Sequence, residues 1–500
     1  MSKTISLKSY AKTLMALTVI AAPIGETIAQ TNKVPAEVVA RRLANKKAKQ
    51  QNPTATAKKA KAAGVQLYGY VLQSDERDPG LYKFSSNNAA SISLVNSNVQ
   101  CYNAATYVQG TYLSSWFEEN DTQVKFPIHF YEYDTNTWQM KIDKPSPELA
   151  YSAISMDLTF DPETQQVYGL FSDDDYSGQY KTLGKLVTTY WGENDYTSNS
   201  ETIGELPESM VAITCNKSGD LYTIGRSGKL YAVNKYSGTA TVVGETGYEP
   251  FKLFQSATCD YSTGKIYWAM LDKDYWATRI IEIDPTTGKG TEVCNFIDND
   301  AYDQITGLYI KQDLTLKTVP QTVSNLSVDL TGLTSGTVKF TMPTKDVKDV
   351  ALSGSLKYTV RLNGVVAKTG TAAAGAAVTT DFTTEISGMT SVSVTAEIAA
   401  DGTTPAAVSA PVSQSVRLGY DQPKKPTALK ASANGQNVTL TWKAPTAGVN
   451  GGFFDADKLT YTVVRVNNND ATDVTTLAEG LTENTYTDKI ASPDLTTYYY

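Results

Sequence analysis

Ile280 to Phe296 reads IIEIDPTTGKGTEVCNF, and Leu230 to Thr246 reads LYAVNKYSGTATVVGET. Each is an alternating strand, a tight polar turn and a second strand. A weaker copy, FYEYDTNTWQMKID, runs from Phe130 to Asp143, and a degenerate one, LYKFSSNNAASISLV, from Leu81 to Val95. A further strand pair precedes each clear copy: CNKSGDLYTIG at Cys215 and CDYSTGKIYWAM at Cys259. Four short strands returning at intervals of about 45–60 residues have the spacing of β-propeller blades.

Five inner-strand candidates follow: Tyr102 to Val108, Ala153 to Phe160, Val211 to Cys215, Ser256 to Cys259 and Ile305 to Ile310. VQLYGYVLQ at Val65 reads as a second strand lacking its inner strand, and ITGLYI at Ile305 as an inner strand lacking partners. Joining them closes a ring of five blades and removes open edges. A sixth blade has room only in the insertions around Asn120 and Tyr190.

The ends of the chain bear on location. Lys3, Lys8 and Lys12 precede an apolar run from Leu14 to Ile24, followed by Thr27-Ile28-Ala29. That is the pattern of a signal peptide over 1–29, and the run is too short to span a bilayer. A basic linker is expected over 30–64, either a solvated spacer or an arm on an anionic surface, since no apolar stripe accompanies its charge. Residues 1–61 carry 12 Lys and Arg against 2 acids, leaving 32 basic and 50 acidic residues beyond them. So acidic a body repels phosphates, which excludes nucleic acid as a partner. No stretch of the remainder is long and apolar enough to form a transmembrane helix.

The turn Ile283-Asp284-Pro285-Thr286-Thr287-Gly288 resembles the blade ends of the non-enzymatic YVTN and quinoprotein-like propellers. Val233 to Gly238 and Tyr133 to Thr137 match it in part. The Asp or Asn caps the turn and Gly supplies positive φ, so the motif is structural and implies no site residue. A second resemblance begins beyond Lys317. Residues 319–418 and 423–500 each resemble a fibronectin type III sandwich. The second carries VTLTWKAP at Val438, LTYTVVRV at Leu459, TYTD at Thr485 and DLTTYYY at Asp494, with Leu440 and Trp442 inward and Tyr498 at a tyrosine-corner position. The first carries GTVKFTMP at Gly336, LKYTVRLNG at Leu356 and SVSVTAEIA at Ser391, with Phe340 in place of Trp. The expected fold is therefore all-β: a propeller over 65–312 and two such sandwiches. The resemblance also implies a Gram-negative source and a longer parent protein, since Tyr500 falls inside a strand.

The chemistry is sparse. His129, the one histidine, has no partner spaced for a triad. Cys215 and Cys259 share one repeat position with Phe160 and read as core residues, and Cys101 and Cys294 show no metal-ligand spacing. The disulfide state of all four is left open. Asp173-Asp174-Asp175, Asp272-Lys273-Asp274 and Asp298-Asn299-Asp300 lack the alternation of a calcium loop and read as solvated charge. No cofactor and no catalytic constellation is expected. Trp116, Tyr190, Trp191, Tyr275 and Trp276 lie in insertions where propellers present binding surface, suited to sugars or peptides, or else they pack loops onto blade edges. These readings favour an exported or cell-surface binding protein, with protein or glycan as ligand and adhesion as one role. The alternative is a glycoside-active propeller with type III spacers.

Overall fold

The computed structural model describes residues 34–51, 64–101, 104–117, 128–145, 155–171, 181–188, 196–251, 254–297, 301–467, 470–490 and 498–499. Two compact units emerge: residues 1–319 with 398–408, and 320–397 with 409–500.

The first unit holds five four-stranded antiparallel sheets. The first sheet contains β1 (Gln66–Gln73), β2 (Gly80–Ser85) and β3 (Asn88–Asn96). The second is β4 (Ala105–Val108), β5 (Thr111–Phe117), β6 (Ile128–Asp134) and β7 (Met140–Pro145). The third is β8 (Ser155–Asp161), β9 (Gln166–Phe171), β10 (Thr182–Thr188) and β11 (Tyr196–Glu205). The fourth is β12 (Met210–Cys215), β13 (Leu221–Gly225), β14 (Lys229–Val233) and β15 (Ala240–Glu245). The fifth is β16 (Ser256–Cys259), β17 (Ile266–Leu271), β18 (Thr278–Ile283) and β19 (Gly290–Asn295). Finally β20 (Gln304–Tyr309) returns to the first sheet, which runs β20-β1-β2-β3. Tyr68 pairs with Tyr309 and Val71 with Ile305. This is the all-β propeller with a blade shared between the two ends of the repeat.

Burial grades outward along each blade. The inner strands β8, β12 and β20 are buried at every residue, whereas outer β15 is half-buried or exposed. Apolar side chains fill the spaces between blades. Trp268, Ile224, Leu230, Ile281 and Ile283 form one such cluster, with Trp268 fully buried. Truncating a ring packed this way costs about 3–5 kcal/mol.

Blade turns are built alike. In the Asn234–Gly238 turn the Asn234 carbonyl accepts the N–H of Gly238 at 2.8 Å, and Gly238 sits at φ 73°. The Asp284–Gly288 turn repeats this, with Gly288 N to Asp284 O at 2.8 Å and φ 75°. That second turn presses on Gly244 of the preceding blade, where an added Cβ would lie 2.0 Å from the Thr287 carbonyl oxygen.

Ahead of the propeller, α1 (Ala36–Gln51) carries buried Val38 and Arg42.

In the second unit, Ser324–Leu330, Ser335–Thr341 and Ala377–Thr383 pair in that order. Val365–Ala373, Ser355–Leu362, Gly388–Ile398 and Val412–Leu418 form a second sheet. Next come Thr427–Asn434, Asn437–Lys443 and Thr485–Lys489, then Asp470–Leu481, Tyr461–Asn467 and Tyr498–Tyr499. Leu440 and Trp442 are buried on alternate residues, and the Trp442 ring meets Tyr461 edge-on at 5.2 Å.

Candidate functional site

Buried polar groups tie the inner strands of the propeller together. Asp157 of β8 is fully buried, and its carboxylate accepts the backbone N–H groups of Ile213 at 3.1 Å and Ala257 at 3.0 Å. It also accepts the hydroxyl of Ser256 at 2.8 Å, and Ser256 in turn accepts the Leu308 N–H at 2.9 Å. One side chain thus joins inner strands of three blades. Burial pushes its pKa well above the carboxylate range, against the pull of those donors. Where the inner strands end, Thr106, Thr159, Thr214, Thr258 and Tyr309 surround a cavity of about 30 Å³. That holds one or two waters, not a ligand. Nearby, Lys235 bridges blades through Asp161 at 2.6 Å and Glu163 at 2.5 Å. Burial alone would lower its pKa, but those carboxylates hold it well above the lysine range.

The informative departure lies in the turns. Asp134 to Trp138 forms the same turn as Asp284 to Gly288. The Trp138 N–H donates to the Asp134 carbonyl at 2.6 Å, and the Asp134 carboxylate accepts from Asn136 and Thr137. Those donors hold the Asp134 carboxyl below its usual range. Asp272 to Trp276 repeats it again, with Trp276 N to Asp272 O at 2.8 Å. In both, tryptophan stands in the glycine slot, at φ 59° for Trp138 and 49° for Trp276. A bulky residue there is a strained outlier costing about 1–2 kcal/mol.

Each strained tryptophan has a use. Trp276 packs with Val38, Leu271 and Phe251 beneath α1. Arg42 is nearly wholly buried, reaching Asp75 at 2.7 Å and the carbonyls of Tyr275 at 2.7 Å and Trp276 at 2.9 Å. Its guanidinium lies 4.9 Å from the Tyr302 ring centroid. Arg41 pairs with Asp274 at 3.0 Å, and Lys49 donates to the Ile297 carbonyl. This stretch of the basic linker is therefore a docked helix, not a solvated spacer. Guanidinium contacts to backbone carbonyls replace the missing apolar stripe.

Trp138 borders open space instead. Between the first and second blades lies a cleft of about 300 Å³ lined by Tyr68, Trp138, Tyr309, Lys83, Lys311 and Leu94, among others. Tyr309 stacks on Tyr68 at 4.9 Å and on Tyr107 at 5.4 Å. Among the described residues its buried hydroxyl has no hydrogen-bond partner, and burial drives its pKa well up. Tyr68 and Trp138 are half-buried, Lys83 and Lys311 exposed. Lys311 donates to the Asn136 side chain at 2.9 Å. None of the described lining residues is acidic. Because strands alternate in direction, the β6–β7 turn at this cleft and the β17–β18 turn under α1 sit at opposite ends of the propeller axis.

Among the expected ligand residues, Trp276 is buried and Tyr275 half-buried at the α1 dock. Trp116 lies at the end of β5 with its backbone paired to His129 of β6. Their side chains, and Tyr190 and Trp191, fall outside the described residues, as do Asp173 to Asp175, Asp298 to Asp300 and the signal segment. Asp272 caps its turn and pairs with Arg279 at 2.8 Å, so its charge is engaged. Cys101, Cys215 and Cys259 are buried free thiols, and burial pushes Cys101 and Cys259 up to about 12. Among the described residues no group of three or more His, Cys, Asp or Glu is placed to hold a metal ion. No described helix is long and apolar enough to cross a membrane. Trp138 and the cleft were missed by sequence reading, although aligning Asp134-x-x-x-Trp138 with Asp284-x-x-x-Gly288 marks the substitution.

Fold and site together define a β-propeller with an aromatic cleft at one inter-blade edge. No family model matches the chain, and no curated protein matches it. Solved structures similar to it include apo AztD from Citrobacter koseri, at 12% identity over 47% of this chain and 74% of that one, TM-score 0.24. TolB from Acinetobacter baumannii is similar at 12% identity over 62% and 68%, TM-score 0.26. Polysaccharide lyase Uly1 is similar at 11% identity over 74% and 91%, TM-score 0.24. No residue role or activity is carried from them.

Proposed function

We propose that this chain is an exported or cell-surface binding protein. The propeller is its recognition platform, the two type III-like modules are spacers, and the ligand is a glycan or a protein. The observation that carries this reading is the pair of tryptophans in glycine slots. Strain is accepted at a turn where the side chain it presents does something a glycine cannot. Trp276 shows the use, seating a helix of the same chain. Trp138 presents the same kind of surface to a cleft between blades. Export rests on Lys3, Lys8, Lys12 and the run to Ile24, with processing at Ala29-Gln30.

The test is a binding panel of glycans and peptides on the full chain, run beside a glycosidase screen. Ligand capture that is lost in Trp138→Gly, without turnover, supports the platform. Multiple turnover of a glycoside, abolished by a carboxylate substitution, overturns it in favour of a glycoside-active propeller.

A further inference from the structure

We propose that the cleft between the first and second blades binds an acidic saccharide. This rests on the platform reading above and names the ligand class for its cleft. Half-buried Tyr68 and Trp138 offer ring faces of the kind on which the C–H face of a sugar stacks, and Tyr309 backs Tyr68 at 4.9 Å. Such rings bind neutral sugars equally well, so the charge comes from a separate observation. Lys83 and Lys311 both line the cleft, and among the described residues neither forms a salt bridge. Among the described residues no carboxylate lines the cleft with them.

The surroundings sharpen this. Residues 62–500 carry 32 basic against 50 acidic side chains, so the long-range field of the body repels anions. A cationic cleft in such a body attracts an anion only within about a Debye length, ~8 Å at physiological salt, which favours local recognition over bulk steering. A peptide ligand is the outcome the protein arm of the test addresses: β1 and β2 are each paired on both edges, but β3, which brings Leu94 and Val95 to the lining, keeps one free edge. The cleft also lies at the lower end of the ~300–1,000 Å³ range of small-ligand pockets, which suits a short stretch of sugar chain.

The experiment uses the full chain and an array of acidic oligosaccharides (uronate, sulfated and sialylated), each beside its carboxyl-reduced, desulfated or desialylated counterpart. Expected is binding of at least one acidic member, weakened about tenfold or more in its neutral counterpart and in the Lys83→Gln, Lys311→Gln double variant. Added salt should weaken it as well, and Trp138→Gly should abolish it while the melting temperature holds. Equal binding of acidic and neutral counterparts, or no effect of the lysine changes, overturns the acidic class and leaves the platform standing. Capture of a protein ligand alone, lost in Trp138→Gly, does the same. Retention of all binding in Trp138→Gly overturns both.

Discussion

Asp157 lends itself to a quantitative test, because one carboxylate oxygen accepts N–H groups from two blades and the other a serine hydroxyl. Asp157→Leu keeps the branched shape, adds methyl volume, strands the N–H groups of Ile213 and Ala257 and frees the Ser256 hydroxyl. Each orphaned buried donor costs about 1–3 kcal/mol, so the two N–H groups alone predict a loss of about 2–6 kcal/mol. In a domain of this size that lowers Tm by roughly 4–24 °C. Asp157→Asn keeps an acceptor for both N–H groups and strands only the serine proton, a loss of about 1 kcal/mol. The pH dependence has a definite sign. The folded pKa of Asp157 lies well above its unfolded value, so the folded state binds the extra proton. Its stabilising contribution is complete below about pH 4 and is lost as pH rises through the folded pKa. The advantage of wild type over Asp157→Asn must therefore shrink as pH rises. Denaturant unfolding of all three proteins between acid and neutral pH measures it, and other carboxylates cancel in the difference. A leucine variant within 1 kcal/mol of wild type, or a gap that widens with pH, refutes the account.

Arg42→Ala should release α1, at a cost of about 2–3 kcal/mol since Asp75 is partly solvated and recovers water; hydrogen exchange over residues 36–51 should then speed up, and unchanged protection there contradicts the dock. Gly244→Ala should force the fourth and fifth blades apart, because its Cβ meets the backbone of Thr287, and a melting curve shifted by less than the equivalent of about 1 kcal/mol would show that the turn yields. Trp442→Ala should cost about 3–5 kcal/mol in the last module while leaving the propeller transition in place, with intrinsic fluorescence reporting whether Trp442 is shielded beforehand.

The propeller was legible because its signal is periodic. Short apolar strands such as β17 and β18, and the Asp-to-Gly turns between strands, repeat a local rule that the backbone obeys at each copy. The shared blade was legible because Val65 and Ile305 each lacked the strand the other supplied. The cleft was not legible, since it depends on Tyr68 and Tyr309, far apart in sequence, meeting Trp138 from the next blade. Nor was the docked helix: with buried Val38 as its apolar anchor, α1 is held through guanidinium groups, and hydropathy patterns do not register a cation meeting a carbonyl. Asp157 lay hidden in the alternation of β8, where it falls with Ser155, Thr159 and Asp161 on a face that reads as solvated until the neighbouring inner strands bury it.

The pairing of Tyr68 with Tyr309 also sets a timetable. β1 is among the first propeller segments to be made and its partner β20 is the last, so the ring has no closed form until Gln304 to Tyr309 have followed. In that interval one edge of β1 stays a row of unsatisfied N–H and C=O groups, a template for any passing strand. Contacts this distant in sequence form slowly, which makes the opening blade the segment most exposed to aggregation during biogenesis. Once closed, the ring has no privileged seam, and new termini cut into the Gly247 region between the fourth and fifth blades should fold to the same circle.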